Sequence, residues 1–146
     1  MRYALPLLAL ALLPGCGSSK HAAPRFDRAQ VVRCLRAGAA SFAKAGSSVV
    51  RADVSGESRF GTLAEVDVAF GRDAKDALAH LRARYFFRTN PKAKPYVHGR
   101  YVGNVAYAIT TLPFSKHGPK GLDAARARVR AKAKHFVEDC LARGRM

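Results

Sequence analysis

The sequence predicts an α+β domain: a two-layer sandwich of order α-β-β-α-β-β-α, with four mainly antiparallel strands and helices packed on one face. Three observations lead there. Apolar residues recur at three- and four-residue spacing in three long stretches, the period of a helix face. They alternate with polar residues in shorter stretches, the period of a half-buried strand. The strands of each pair are joined by short, turn-rich links, which suit antiparallel pairing. The chain has 146 residues, enough for one such domain, placed at residues 27–146.

The first helix runs from Asp27 to about Ala45, with Val31, Val32, Leu35, Ala39 and Phe42 as its stripe. Asp27 is its N-cap and Gly46 its stop. Val49 to Val54 is a strand that turns Val50, Ala52 and Val54 to one side and Arg51 and Asp53 to the other. Ser55-Gly56-Glu57-Ser58 has turn chemistry. Leu63 to Phe70 is the next strand, with Ala64, Val66, Val68 and Phe70 inward and Glu65 and Asp67 outward. Gly71-Arg72-Asp73 opens a second helix carrying Ala74, Ala77, Leu78, Leu81 and Tyr85, and Asn90-Pro91 ends it. Tyr96 to Val102 and Val105 to Thr111 form a hairpin about Gly103-Asn104. After a loop from Pro113 to Gly121, the last helix spans Leu122 to Arg143. Its stripe is Leu122, Ala125, Val129, Ala133, Phe136, Val137, Cys140 and Leu141. The outer face of the half-polar strands is expected to stay wet.

Residues before the domain carry a different message. Arg2 is followed by about ten apolar residues, Ala4 to Leu13, the shape of a secretory signal. The run is too short to span a bilayer, which takes about 20 apolar residues. Leu13-Pro14-Gly15-Cys16 follows and resembles the lipobox of bacterial lipoproteins, with Pro14 a less usual occupant of the variable position. The resemblance covers residues 1–16 alone. It implies that residues 1–15 are a cleaved signal peptide and that the Cys16 sulfur carries diacylglycerol. It also implies attachment to the outer face of the cytoplasmic membrane. Residues 16–26, small and polar, then read as a flexible tether.

Export bears on the two other cysteines. An even pair outside the cytoplasm favours a Cys34–Cys140 disulfide lacing the first helix to the last. The alternative is two buried thiols acting as small hydrophobes. A bond closing a loop of about 100 residues stabilises by at most about 4.7 kcal/mol in the chain-entropy view.

The composition excludes little else. Hydrophobic residues at 49% and charged residues at 25% are globular values. His21, His80, His98, His117 and His135 have no partner at metal-ligand spacing, and there is no CxxC, so no metal site is expected. Glu65 and Asp67 share a strand face, which a polar outer surface explains without acid-base chemistry. The serines lack a GxSxG elbow, and the glycines form no phosphate-cradling loop. The reading is therefore non-enzymatic, with no cofactor beyond the diacylglycerol on Cys16.

The 26 Lys+Arg against 10 Asp+Glu, a formal charge of +16, are the best functional clue. Arg126, Arg128, Arg130, Lys132 and Lys134 alternate with Ala and Val along the last helix. A second cluster, Arg82, Arg84, Arg88, Lys92 and Lys94, is interleaved with Tyr85, Phe86, Phe87 and Tyr96. Together they are expected to form an anion-binding surface for anionic lipid, a wall polymer or an acidic protein. One alternative is a carrier of a small or apolar ligand, its pocket lined by Tyr96, Tyr101, Tyr107 and Phe114. A nucleic-acid strand on the interleaved aromatics becomes the rival only if the chain is not exported.

Overall fold

The computed structural model describes residues 22–84, 97–115 and 117–146. Residues 1–21, with Cys16 and most of the expected tether, lie outside the described residues, as do Arg88, Asn90-Pro91, Lys92, Lys94, Tyr85, Phe86, Phe87 and Tyr96. The described elements are α1 (Arg28–Gly38), β1 (Ser41–Lys44), β2 (Val49–Ser55), β3 (Leu63–Phe70), α2 (Ala74–Arg84), β4 (Val97–Val102), β5 (Val105–Leu112) and α3 (Leu122–Arg143). The α+β class stands, but the sheet has five strands, in the order β1-β2-β3-β5-β4, all neighbours antiparallel.

The extra strand comes from the end of the expected first helix. Asp27 caps α1 as expected, its Oδ1 accepting from the Gln30 N–H at 2.8 Å. The helix then stops at Gly38, and Ala39 is extended. Glycine is a poor helix residue, and here its bareness is used. A Cβ on Gly38 would lie 2.5 Å from the Phe136 ring, so α1 passes α3 with no room to spare. The next residues pair with β2, Ser41 opposite Asp53 and Lys44 opposite Val50. Phe42 packs on the core either way, since it continues the helical stripe and also points inward from a strand.

The sheet is covered on both faces, which corrects the expectation of helices on one. Val50, Ala52, Val54, Val66, Val68, Val105, Tyr107 and Ile109 meet α1 and α3 in the main core. On the opposite face Val49, Ala69, Ala106 and Ala108 pack with Ala77 and Leu81 of α2. The topology explains this. β3 and β4 both run antiparallel to β5, which lies between them, so their connection must cross over the sheet. α2 is that crossover, and the alanines let it sit close.

Past α2, the same face carries the polar residues of β2 and β3. Asp67 is buried and takes a two-pronged grip from Arg51 directly opposite, Nε to Oδ1 at 2.9 Å and Nη2 to Oδ2 at 3.0 Å. Arg51 also approaches Glu65 at 3.8 Å. Asp67 is thus no wet surface residue but half of an ion pair.

Cys34 and Cys140 form a disulfide across a separation of 106 residues, Cα–Cα 5.4 Å, tying α1 to α3. At the β4–β5 hairpin, Gly103 has φ +56° and its Cα lies against the Pro24 carbonyl. Asn104 accepts from the Phe26 N–H at 2.8 Å and donates back to its carbonyl at 3.3 Å. Phe26 in turn bridges to Arg145, so the start and end of the domain meet at this hairpin.

Two outcomes follow. The Cys34→Ala/Cys140→Ala chain is expected to lose about 2–5 kcal/mol in urea unfolding and to become insensitive to reductant, whereas the parent loses a like amount on reduction. An unchanged midpoint would count against a stabilising bond. Arg51→Met alone is expected to cost about 1–3 kcal/mol by stranding the buried Asp67, and adding Asp67→Leu should recover most of it. Equal losses in the single and double variants would show that the pair is not coupled.

Candidate functional site

Among the described residues, the expected anion-binding side chains lie on more than one surface. Arg82 and Arg84 are exposed, but on α2, across the sheet from α3. Arg126 is buried at 6% exposure and belongs to the architecture. Its guanidinium donates to the Pro113 and Ser115 carbonyls and pairs with Asp123 at 2.9 Å, pinning the loop before α3. It sits four residues after Leu122 and three before Val129, hence inside the apolar stripe.

The remaining α3 cations divide between two flanks. Arg128 and Lys132 lean toward the β2–β3 link. Arg128 donates to Glu57 and Lys132 to the Ser55 carbonyl at 3.0 Å. Hydrogen bonds from Arg128, aided by Arg59, hold the Glu57 carboxyl below its usual range. Arg130 and Lys134 lean the other way, toward β4, where Arg130 lies 2.7 Å from His98 Nε2. Among the described residues, Arg130, Lys132 and Lys134 make no ion pair with a carboxylate.

A groove runs between α3 and the β4–β5 hairpin. One part, about 380 Å³, is lined by His98, Arg100, Arg130 and Lys134, with Ala127 and Ala131 as its α3 wall. The alternation of small and cationic residues on α3 therefore opens the groove and rims it with charge. Among the described residues no carboxylate lines this part. The second part, about 650 Å³, is lined by Phe26, Tyr101, Val102, Leu141 and Ala142, with Glu138 and Arg145. Arg100 and Tyr107 line both parts, so the two are contiguous.

The junction is a polar knot. The Tyr107 hydroxyl donates to Glu138 Oε1 at 3.1 Å, and Arg100 Nη1 reaches the same oxygen at 3.1 Å. Burial, and then the negative charge of Glu138, push the Tyr107 phenol up to about 12. It is a firm donor at neutral pH. His98 is shifted the opposite way for a base. Partial burial, then the Arg130 charge, lowers its pKa and keeps the ring neutral.

Of the tyrosines and the phenylalanine expected to line a pocket, Tyr101 and Tyr107 do so, and Tyr96 lies outside the described residues. Phe114 is half-buried and does not line the groove. Sequence reasoning passed over His98, Arg100 and Glu138. The signal it had was their spacing, since His98 and Arg100 alternate on one strand face. Among the described residues no His, Cys, Asp and Glu cluster is placed to hold a metal ion, and no helix is long and apolar enough to cross a membrane. No protein-family model, curated protein or solved structure matches the chain.

The His98 environment has a pH consequence. Its lowered pKa adds stability that is present above the unfolded value of about 6.5 and is lost as pH falls through the folded value. Proton titration by NMR is expected to place His98 below about 6.5, and Arg130→Ala should raise it. A His98 midpoint at or above that value would refute the assignment.

Proposed function

We propose that this chain is a small lipid-anchored protein of a bacterial cell envelope, a non-enzymatic binding module for anionic envelope material. Support for the anchor is the Leu13-Pro14-Gly15-Cys16 segment. Cleavage before Cys16 would remove only Arg2 of the 26 basic residues, so the charge stays with the mature protein. Export would then set that charge beside an anionic membrane or wall polymer, with an acidic protein as the other candidate partner.

The observation that carries the binding role is the unneutralised cation set of α3. Arg130, Lys132 and Lys134 extend from one helix without carboxylate partners among the described residues. Arg130 reaches His98 and Lys132 the Ser55 carbonyl, neutral partners that leave the charges uncancelled, and Lys134 is exposed. Fixed on a helix pinned at both ends, they keep their mutual spacing. The groove supports a second reading, a carrier of a small ligand, since its parts fall in the roughly 300–1,000 Å³ range of small-molecule sites.

Residues 17–146, free of lipid, are expected to co-sediment with phosphatidylglycerol vesicles and not with phosphatidylcholine vesicles. Binding should vanish between low salt and about 1 M, where the Debye length shrinks to about 3 Å. Neutralising Lys132 and Lys134 to Gln should weaken it about fivefold per residue, from roughly 1 kcal/mol each. Equal binding to both vesicle types, or to neither at low salt, would refute the proposal.

A further inference from the structure

We infer that the groove between α3 and the β4–β5 hairpin binds a single phosphate-headed, single-chain amphiphile, its head among His98, Arg130 and Lys134 and its chain toward Phe26, Tyr101 and Leu141. This deepens the binding role proposed above by naming a site and a ligand class.

Charge complementarity fixes the head. Three cations, Arg100, Arg130 and Lys134, and a histidine line one small recess with no carboxylate among them. Arginine presents a planar fork that matches phosphate oxygens, and lysine adds a point charge. His98 contributes a ring nitrogen already engaged by Arg130, so that guanidinium is held at the recess wall. Glu138 is the nearest acid in the groove, and it is met by Arg100 and the Tyr107 hydroxyl at the junction. The negative head is therefore directed away from the junction, toward Arg130 and Lys134.

The chain direction follows from the other end. Beyond the junction the lining turns mostly apolar, with Phe26, Tyr101, Val102, Leu141 and Ala142, and Arg145 is its one further cation. The described chain leaves two large apolar residues exposed, Tyr101 at 65% and Met146 at 73%. Tyr101 lines the groove, and the Met146 N–H bonds the Arg25 carbonyl beside Phe26. The exposed Tyr101 thus continues the apolar lining that Phe26 and Leu141 begin. Pro24, eight residues after Cys16, lines this same end. If Cys16 is lipidated, a tether of that length could place the mouth no more than about 30 Å from the anchor. An amphiphile leaving the membrane would meet the groove at its apolar end.

Residues 17–146 hold every described element and the disulfide, and this chain is used for the test. The probes are lauroyl lysophosphatidic acid below its micelle concentration, inorganic phosphate, and monolaurin as the uncharged analogue. Calorimetry and native mass spectrometry are expected to show one lysophosphatidic acid per chain, bound at least about tenfold tighter than either other probe. Arg130→Gln/Lys134→Gln should weaken it by about tenfold or more. Arg82→Gln/Arg84→Gln removes the same charge from the opposite face of the sheet and should leave it unchanged. Ala142→Phe, at an exposed position in the apolar end, should weaken lysophosphatidic acid and leave phosphate alone. Equal affinity for phosphate and lysophosphatidic acid would overturn the inference, as would equal losses from the α2 and α3 variants. Anionic-vesicle binding that survives without one-to-one amphiphile binding would overturn the inference while leaving the broader binding role intact.

Discussion

The pairing of α1 with α3 is the constraint from which the rest of the architecture follows. It is covalent at Cys34–Cys140 and steric at two glycines. Gly38 lets α1 pass under the Phe136 ring, and Gly144 lets the end of α3 pass against Val31. The Asp27 N–H also bonds the Gly144 carbonyl at 2.7 Å, so the start of α1 and the end of α3 are joined along the backbone as well. Two helices held this closely act as one layer. α1 meets β1 and β2, while α3 reaches across to β3 and β5. The layer is thus set toward the β1 side of the sheet, and a groove remains between α3 and β4. The site is a consequence of where a rigid helix pair lies on a five-stranded sheet.

Charge is divided by the same geometry. Arginines that look alike in sequence have different roles because they meet different surroundings. Arg126 falls inside the stripe and becomes a loop anchor. Arg51 meets a buried carboxylate across two strands and becomes half of a structural pair. Arg128 shares Glu57 with Arg59 at the surface, a contact of small energetic weight. Arg130 and Lys134 face a recess with no acid in its lining. A formal charge of +16 therefore overstates what is free to attract a ligand, and only a few of the cations, Arg130 and Lys134 among them, line the groove.

The three helices, four of the five strands and the Gly103-Asn104 turn were legible because each has a local cause: a period, a cap or a turn dipeptide. The disulfide pairing was reached from the resemblance of residues 13–16 to a lipobox and the parity it leaves. β1 was not legible, because Phe42 fits a helical stripe and an alternating strand equally well. What decides is the approach of Phe136 to Gly38, a contact about 100 residues distant in sequence. The side of the sheet that α2 occupies was hidden for a similar reason. Two hairpins around a helix are compatible with helices on one face, until β5 is known to lie between β3 and β4. The groove was half legible. Tyr101, Tyr107, Arg130 and Lys134 were singled out, yet nothing local says that β4 brings His98 and Arg100 to meet α3.

The junction explains how one groove can hold two chemistries. Buried polar groups are tolerated when they satisfy one another. The buried Tyr107 hydroxyl finds its partner in the half-buried Glu138, whose same oxygen also meets the exposed Arg100. Glu138 thereby offsets the charge of Arg100 at the point where the two parts meet. Beyond Arg100 the recess holds Arg130 and Lys134 with no acid in its lining, while the part at Phe26 and Leu141 adds Arg145 alone. Without Glu138 the Arg100 guanidinium would lose its carboxylate partner. Without Tyr107 the carboxylate would lose one of its two donors. The knot separates a charged recess from an apolar one while leaving them continuous, and that separation follows from three side chains drawn from β4, β5 and α3.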